Sequence, residues 1–585
     1  MSSAGWKAIL ILLAAAAVYL VGNARTQLFD RDEPRYAQCS RQMLQSGDWV
    51  VPRLYDQIRA NKPPGIYWCQ ATMMELFGDT AFAARMPSVL AALLTSVLLA
   101  LVLWRPLGPQ RTIWALLVFT SSGLTIFAAK VCLTDSVLLL WTTISFVCIY
   151  LLWRGRGGWP AVLVLSISVA FGALVKGPFI LGVLGSTVVM LGALRLLDRW
   201  VAKRGRLQSK SPDEFERSSK PSWDAQRGGA PGVAVLADRA PSRLTARGPV
   251  VLMKVGVAVL IVAAIIGPWV YLVERRQPHF LLASTQDAVE HLQSGAEGHK
   301  GPPGYHLALI WVTFLPWSLL LPLTIVSAFR NRRVPEIRFA LAVVLGTWVF
   351  VEVLQTKLPH YMLSAFPALA VLTADVIVRC LGGEVRDLES RQMLGGAAIW
   401  GLAVAALAIV PWWWIAIKFR DFDWGPLLAL AAVGVCCPIA VNLLLRARRP
   451  AQALVCMAGG ALFLVAILFG LYLPRCRPLR LPVRIAQVLR RNNVIHPDEV
   501  KMLDYKEPSL AFYQGGTIRE AKHSLATIEH LDSAPPWMVV SRQIWDQTTP
   551  DIRARLAIVA QLKGLNYSDA LHPVEVLVVR KAAAN

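Results

Sequence analysis

The sequence predicts an all-α polytopic membrane protein of about thirteen transmembrane helices with a small α/β C-terminal domain. Three observations predict it. Of 585 residues, 55% are hydrophobic and only 17% charged, far from the balance of a soluble chain. Uncharged runs near bilayer length recur from the N-terminus to about residue 473. Arginines collect in every second connection between those runs. A closed barrel would need alternating segments of about ten residues instead.

The spans are expected near 6–24, 83–104, 112–129, 136–153, 159–175, 178–197, 249–272, 306–327, 339–356, 361–381, 396–417, 425–445 and 452–473. With the N-terminus inside, the inner connections hold Arg105, Arg111, Arg154, Arg156, Arg330, Arg332, Arg333, Arg446, Arg448 and Arg449, as the positive-inside bias requires. The same bias accounts for the net charge of +23. No soluble basic domain with interleaved aromatics accompanies that charge, which excludes a nucleic-acid partner. The 198–248 connection is rich in Lys, Arg, Ser, Pro and Gly and reads as a disordered basic cytoplasmic insertion. An odd number of crossings leaves 474–585 outside; Leu481 to Arg491 reads as a helix, and Pro536 to Ser541 and Val574 to Val579 as strands. Lys7 and the apolar run after it read as an uncleaved first span rather than a signal peptide. Most of the nine cysteines lie in apolar runs as small hydrophobes, with no zinc spacing and no disulfide framework; Cys39 and Cys69 share one polar loop.

Outside connections are then 25–82, 130–135, 176–178, 273–305, 357–360 and 418–424. These should be poor in cations, yet they carry Arg31, Arg35, Arg53, Arg59, Lys62, Lys130, Lys176 and Lys357. Cations against the rule point to an anionic ligand. The plainer account pairs them with Asp30, Asp32, Glu33, Asp48 and Asp56 in the first loop. That loop opens on Asp30-Arg31-Asp32-Glu33-Pro34-Arg35-Tyr36, where the acids serve either as helix caps or as carboxylates kept ionised by cations and able to accept a proton. Lys62 follows on a stiff Lys-Pro-Pro turn beside Tyr67 and Trp68, aromatics that equally suit a membrane-interface belt. Asp135 sits among apolar residues at the outer mouth of a span, an expensive place for an acid; Lys130 or a loop arginine is the expected partner. Lys176 and Lys357 close outer helix ends, where snorkelling explains them as well as a ligand does. His299 and His360, the latter beside Tyr361, add imidazoles that are more often structural than ligating. Topology delivers all of these, scattered over some 300 positions, to one face.

These residues stand in motifs: Arg31-Asp32-Glu33-Pro34-Arg35-Tyr36-Ala37, Ser46 to Pro52 with Lys62-Pro63-Pro64 and Tyr67-Trp68, Leu133-Thr134-Asp135, and Lys357-Leu358-Pro359-His360-Tyr361 with Pro367. Over roughly the first 380 residues the chain resembles membrane glycosyltransferases of the GT-C class, in the protein-mannosyltransferase-like branch that includes aminoarabinose transferases acting on lipid A. The resemblance implies a polyprenyl-phosphate sugar donor, an inverting displacement, and a lipid or protein acceptor at the periplasmic face of a bacterial inner membrane. It implies Asp32 as main catalytic carboxylate with Glu33 and Asp135 beside it. Arg35, Tyr36, Lys62, Tyr67, Lys176, His299, Lys357, His360 and Tyr361 are then expected to bind substrate. Where the aminoarabinose transferases have an acid before the motif lysine, this chain has Asn61. The residues therefore name no metal ligand set and no certain cofactor, leaving a divalent metal open. A transporter of lipid-linked sugars, with the acids as proton relays, is the competing class; it would show internal repeats and ionisable groups at the midplane.

Overall fold

A computed structural model describes residues 3–29, 32–208, 248–293, 300–384, 388, 390–569 and 571–582. Asp30, Arg31, His299 and the greater part of the 198–248 insertion lie outside these residues. The start of that insertion is a correction: helix Phe179–Gln208 runs on through 198–208, where a disordered connection is expected. Asp198 on this extension is bonded by Arg332 Nε and Arg338 Nη2, both at 2.9 Å.

Among the described residues ten helices are long and apolar enough to cross a membrane, and eleven if a bent pair counts as one span. Three local features separate this count from the thirteen crossings expected. The span 83–104 and the first part of 112–129 fall in one helical element, Ala81–Ser121, broken at Gly108 with a left-handed φ of 78°, and helix Gly123–Lys130 carries the rest. At about 60 Å that element is twice the hydrocarbon thickness. It turns back on itself: Arg85 near its start and Lys130 beyond its end both bond residues at the end of the first helix, Ser3–Leu20. Gly108 is thus a hairpin between flanking Pro106 and Pro109, where a Cβ would strain the backbone. The expected 306–327 span is the bent pair Tyr305–Thr313 and Trp317–Arg330, turned by 119° with Pro316 in the break. The 339–356 span corresponds to Pro335–Val353, whose ends carry Glu336, Arg338 and Glu352. Each of those charges has a partner: the Tyr150 hydroxyl, Asp198 and Lys357 respectively.

The loop after the first span folds onto one end of the bundle. Helix Asp32–Ser46 leads to a two-stranded ribbon, β1 Arg53–Leu54 and β2 Gln57–Ile58, and then to helix Gly65–Phe77. The C-terminal segment packs on the same end. Helix Leu481–Arg491, as its periodicity predicts, covers a five-stranded sheet of β3 Val500–Leu503, β4 Arg519–Glu520, β5 Trp537–Ser541, β6 Leu556–Asn566 and β7 His572–Lys581 in the order β4-β3-β5-β7-β6. The first three are parallel and the last two join antiparallel. Consecutive apolar residues of β5 and β7 point to cores on opposite faces of the sheet, which is why β5 is buried along its length and β7 over Val576, Leu577, Val578 and Val579. Loop and sheet domain are tied by the Gln27 amide donating to the Tyr567 hydroxyl (2.7 Å), the Leu28 amide to the Tyr513 hydroxyl (2.7 Å), Arg41 to the Phe512 carbonyl (2.7 Å), and an Arg519–Asp56 ion pair (3.1 Å). None of the nine cysteines forms a disulfide, Cys39 and Cys69 included.

Candidate active site

Helix Asp32–Ser46 begins with two acids, Asp32 and Glu33, which suit the positive end of a helix dipole. Their surroundings send them to different tasks. Glu33 is 1% exposed. Its Oε1 accepts from Arg85 Nε at 3.0 Å and from the Cys132 amide at 2.8 Å, and its Oε2 from Arg85 Nη2 at 2.9 Å and the Phe29 amide at 2.6 Å. Arg85, 0% exposed, spends its remaining donors on the carbonyls of Asn23, Thr26 and Gln27 and on the Thr26 hydroxyl. With both oxygens engaged by protein, Glu33 ties the loop to the bundle, unlike the catalytic place expected for it.

Asp32 is partly exposed and its charge reaches Tyr36, Arg59, Tyr67, Lys176 and Tyr361. Asp135 opens helix Thr134–Trp153 and is buried. Lys176 Nζ, at the end of helix Gly158–Lys176, donates to both its oxygens at 2.5 and 2.6 Å, and His360 Nε2 stands 3.5 Å from Oδ2. Tyr36 and Tyr361 each feel both Asp32 and Asp135, so the two acids share one neighbourhood. The partner expected for Asp135 was Lys130 or a loop arginine; Lys130 instead donates to the carbonyls of Tyr19 and Val21 and to Asn23 Oδ1, fastening the end of the first helix.

Aromatic rings wall this neighbourhood. The Lys176 ammonium lies 4.2 Å from the ring centre of Phe179 and 4.1 Å from that of Tyr361, so it is held in place rather than snorkelling. Tyr36 packs on Tyr67 at 5.9 Å, Arg59 lies 5.5 Å over Tyr36, and Arg59 Nε donates to the Tyr67 hydroxyl at 3.1 Å. Burial raises both phenols well above their ordinary range, so they stay neutral hydrogen-bonding groups. Burial acts to lower Arg59, but Tyr67, Cys39, Tyr36 and Asp32 outweigh it and hold the guanidinium charged. Burial also pushes the Cys39 thiol up to about 12, which makes it an inert packing group. Lys62 is half-buried and close enough for its charge to act on Asp135 and Lys176. Arg35, also half-buried, acts on Cys39 and Tyr55 from the same helix as Asp32.

Lys357 does not join this group. Its Nζ donates to the Glu352 carbonyl (2.7 Å), Glu352 Oε2 (3.2 Å) and the Leu354 carbonyl (3.1 Å), so it caps the end of helix Pro335–Val353, apart from the substrate-binding group expected to include it. Glu352 also meets His306, whose other ring nitrogen reaches the Leu358 carbonyl at 3.1 Å. That cluster holds the segment leading to His360 and Tyr361.

Sequence reasoning passed over Arg85, Arg59 as a site residue, Glu352 and Asp287, whose charge also reaches Tyr361. Arg85 had a signal: an arginine inside an apolar span marks a site by default. The loop acids also pair otherwise than expected. Glu33 takes Arg85, Asp48 takes Arg276 (2.8 Å) and Asp56 takes Arg519, none of them a loop arginine. Among the described residues no three metal-ligating side chains converge.

Comparison with known proteins points in one direction. Residues 7–284 match the family model of dolichyl-phosphate-mannose-protein mannosyltransferases. The undecaprenyl phosphate-alpha-4-amino-4-deoxy-L-arabinose arabinosyl transferase of Serratia proteamaculans is 30% identical over 69% of this chain and 64% of its own length; that of Yersinia enterocolitica is 31% identical over 64% and 60%. The aligned part thus spans less than two thirds of these relatives. The crystal structures of ArnT from Cupriavidus metallidurans, in the apo state and bound to undecaprenyl phosphate, superpose with a TM-score of 0.69 over 98% and 100% of this chain and 98% and 99% of theirs, at 20% and 18% identity. The chain is therefore a multi-span membrane protein with the fold of the ArnT structures. Its sequence and architecture are similar to the aminoarabinose transferases, as its motifs imply.

Proposed function

We propose that the chain is a membrane glycosyltransferase that moves a sugar from a polyprenyl-phosphate donor to a lipid A-like or protein acceptor, working at the periplasmic face of a bacterial inner membrane. The observation that carries this reading is the meeting of Asp32 and Asp135 with Lys176, His360, Lys62 and Arg59 at one end of the bundle. Asp32, the less buried acid, accepts the proton of the acceptor hydroxyl or orients an acceptor phosphate as its oxygen attacks the anomeric carbon. The bond from that carbon to the donor phosphate breaks on the opposite side, inverting the centre, and the phosphate departs with the electron pair. Arg35, Arg59 and Lys62 stabilise the departing phosphate by charge-assisted contacts. Asp135, locked by Lys176, keeps that lysine and His360 aimed at the reacting groups. Tyr36, Tyr67 and Tyr361 supply neutral hydrogen bonds and flat apolar surface for the sugar. A transporter reading fits less well, because the ionisable pairs lie at helix ends rather than at the midplane.

The test is Asp32→Asn, assayed in membranes with a radiolabelled polyprenyl-linked sugar. Transfer is expected to fall by about 10²–10⁴ with the protein still folded; unchanged transfer removes Asp32 from the reaction. Mass spectrometry of lipid A and exported glycoproteins, with and without the protein, then names the product by the sugar that is lost.

A further inference from the structure

At the opposite end of the bundle from Asp32 and Asp135 lies a cavity of about 410 Å³ between the first half of the Ala81–Ser121 hairpin and helices Thr134–Trp153, Pro335–Val353 and Phe366–Leu381. Its wall is apolar, formed by Leu103, Phe146, Val147, Phe339, Val343 and Val371. Thr143, deepest along its helix, turns its hydroxyl back to the Leu139 carbonyl at 2.7 Å, so it asks nothing of an occupant. The mouth differs sharply. Arg105 and Arg156 stand exposed on its rim, and among the described residues neither makes an ion pair; the one rim acid, Glu336, already accepts from the Tyr150 hydroxyl at 2.7 Å.

From these features we infer that the cavity is a binding site for an anionic phospholipid of the bilayer, with one acyl chain between the helices and the phosphate on Arg105 and Arg156. Depth supports the choice. From Leu151 at the mouth to Thr143 the helix rises about 12 Å, close to the half-thickness of about 15 Å that one acyl chain spans. The volume lies within the range of about 300–1,000 Å³ of sites that enclose small ligands. Charge supports it too: two arginines face one acid that is already bonded, and basic pockets between helices on the arginine-rich side of a membrane protein suit phosphate headgroups. A zwitterionic lipid brings its own cation to the same rim and loses that advantage. The site shares no side chain with the candidate active site and stands whether or not the proposed transfer reaction is right.

Native mass spectrometry of the full chain in mild detergent tests this, with phosphatidylglycerol, phosphatidylcholine of the same acyl chains, and undecaprenyl phosphate as probes. The wild type is expected to retain phosphatidylglycerol at least about tenfold over phosphatidylcholine, as one or two charge-assisted contacts would produce. Arg105→Ala with Arg156→Ala should bring the two lipids level, and Val147→Trp, which fills the cavity without touching the rim, should reduce both. Should the double variant elute as aggregate in size exclusion, Val147→Trp decides alone. Phosphatidylglycerol retained equally by wild type and Val147→Trp overturns the proposal, as does equal retention of the two phospholipids by the wild type. Displacement of phosphatidylglycerol by an equal amount of undecaprenyl phosphate overturns it as well, by making this a polyprenyl site.

Discussion

Two acid–base pairs stand at the same end of this molecule and are put to opposite uses. Glu33–Arg85 is closed: both side chains are buried, and each carboxylate oxygen and guanidinium nitrogen has a protein partner. Asp135–Lys176 is nearly as buried but opens onto aromatic faces, His360, and the charges of Asp32 and Lys62. The first joins the loop, the hairpin and the end of the first span. The second holds charges where a substrate would meet them. A carboxylate–cation pair thus serves architecture when its hydrogen bonds are all internal, and in the proposed reading serves reaction when neighbouring charges are left facing a ligand.

Breaking the closed pair should have the largest effect. Glu33→Gln leaves Arg85 as an uncompensated buried cation, at an expected cost of about 3–5 kcal/mol. Thermal unfolding followed by size exclusion reads this, and Glu33→Leu combined with Arg85→Met should recover most of the loss. A Glu33→Gln protein that stays stable and loses only activity would erase the contrast between the pairs. Next comes Lys176→Met, expected to lower sugar transfer about 100-fold while costing less stability than Glu33→Gln, since His360 still faces Asp135. Arg59→Ala should raise the KM for the polyprenyl donor by about tenfold, the worth of one charge-assisted contact, with a smaller change in kcat.

The smallest effect concerns the sheet domain. Burial pushes Glu507 up to about 7 from its ordinary 4.5, although Ser509 and the Tyr567 amide donate to it. An acid raised in the folded state favours folding most below about 4.5, and that contribution is lost as pH rises through about 7. Between pH 5 and pH 8 the Tm of the wild type should therefore fall by a few degrees more than that of Glu507→Gln; parallel curves would refute the assignment.

What could be read without coordinates was whatever depends on near neighbours in the chain. Asp135 announced itself by standing among apolar residues, and Lys176 by ending a span. The partner of Asp135 did not: Lys130, five positions away, was the nearer candidate, whereas Lys176 arrives only because the next helix returns antiparallel with its last residue facing that way. Lys357 looked equivalent to Lys176, yet Glu352, five residues earlier on the preceding helix, captures it. The break at Gly108 was legible, since Pro106, Gly108 and Pro109 interrupt the apolar run and separate two spans.

By itself the sequence determined that this chain crosses a membrane many times and which acids and cations stand in its polar connections. Apolar runs and arginine bias act through the bilayer, a solvent that reads composition along a single segment. Only tertiary structure decided which cation meets which acid, and so which carboxylate is locked away and which stands ready. Such pairing depends on the rotation and tilt with which helices pack, and these are set by contacts between residues dozens to hundreds of positions apart.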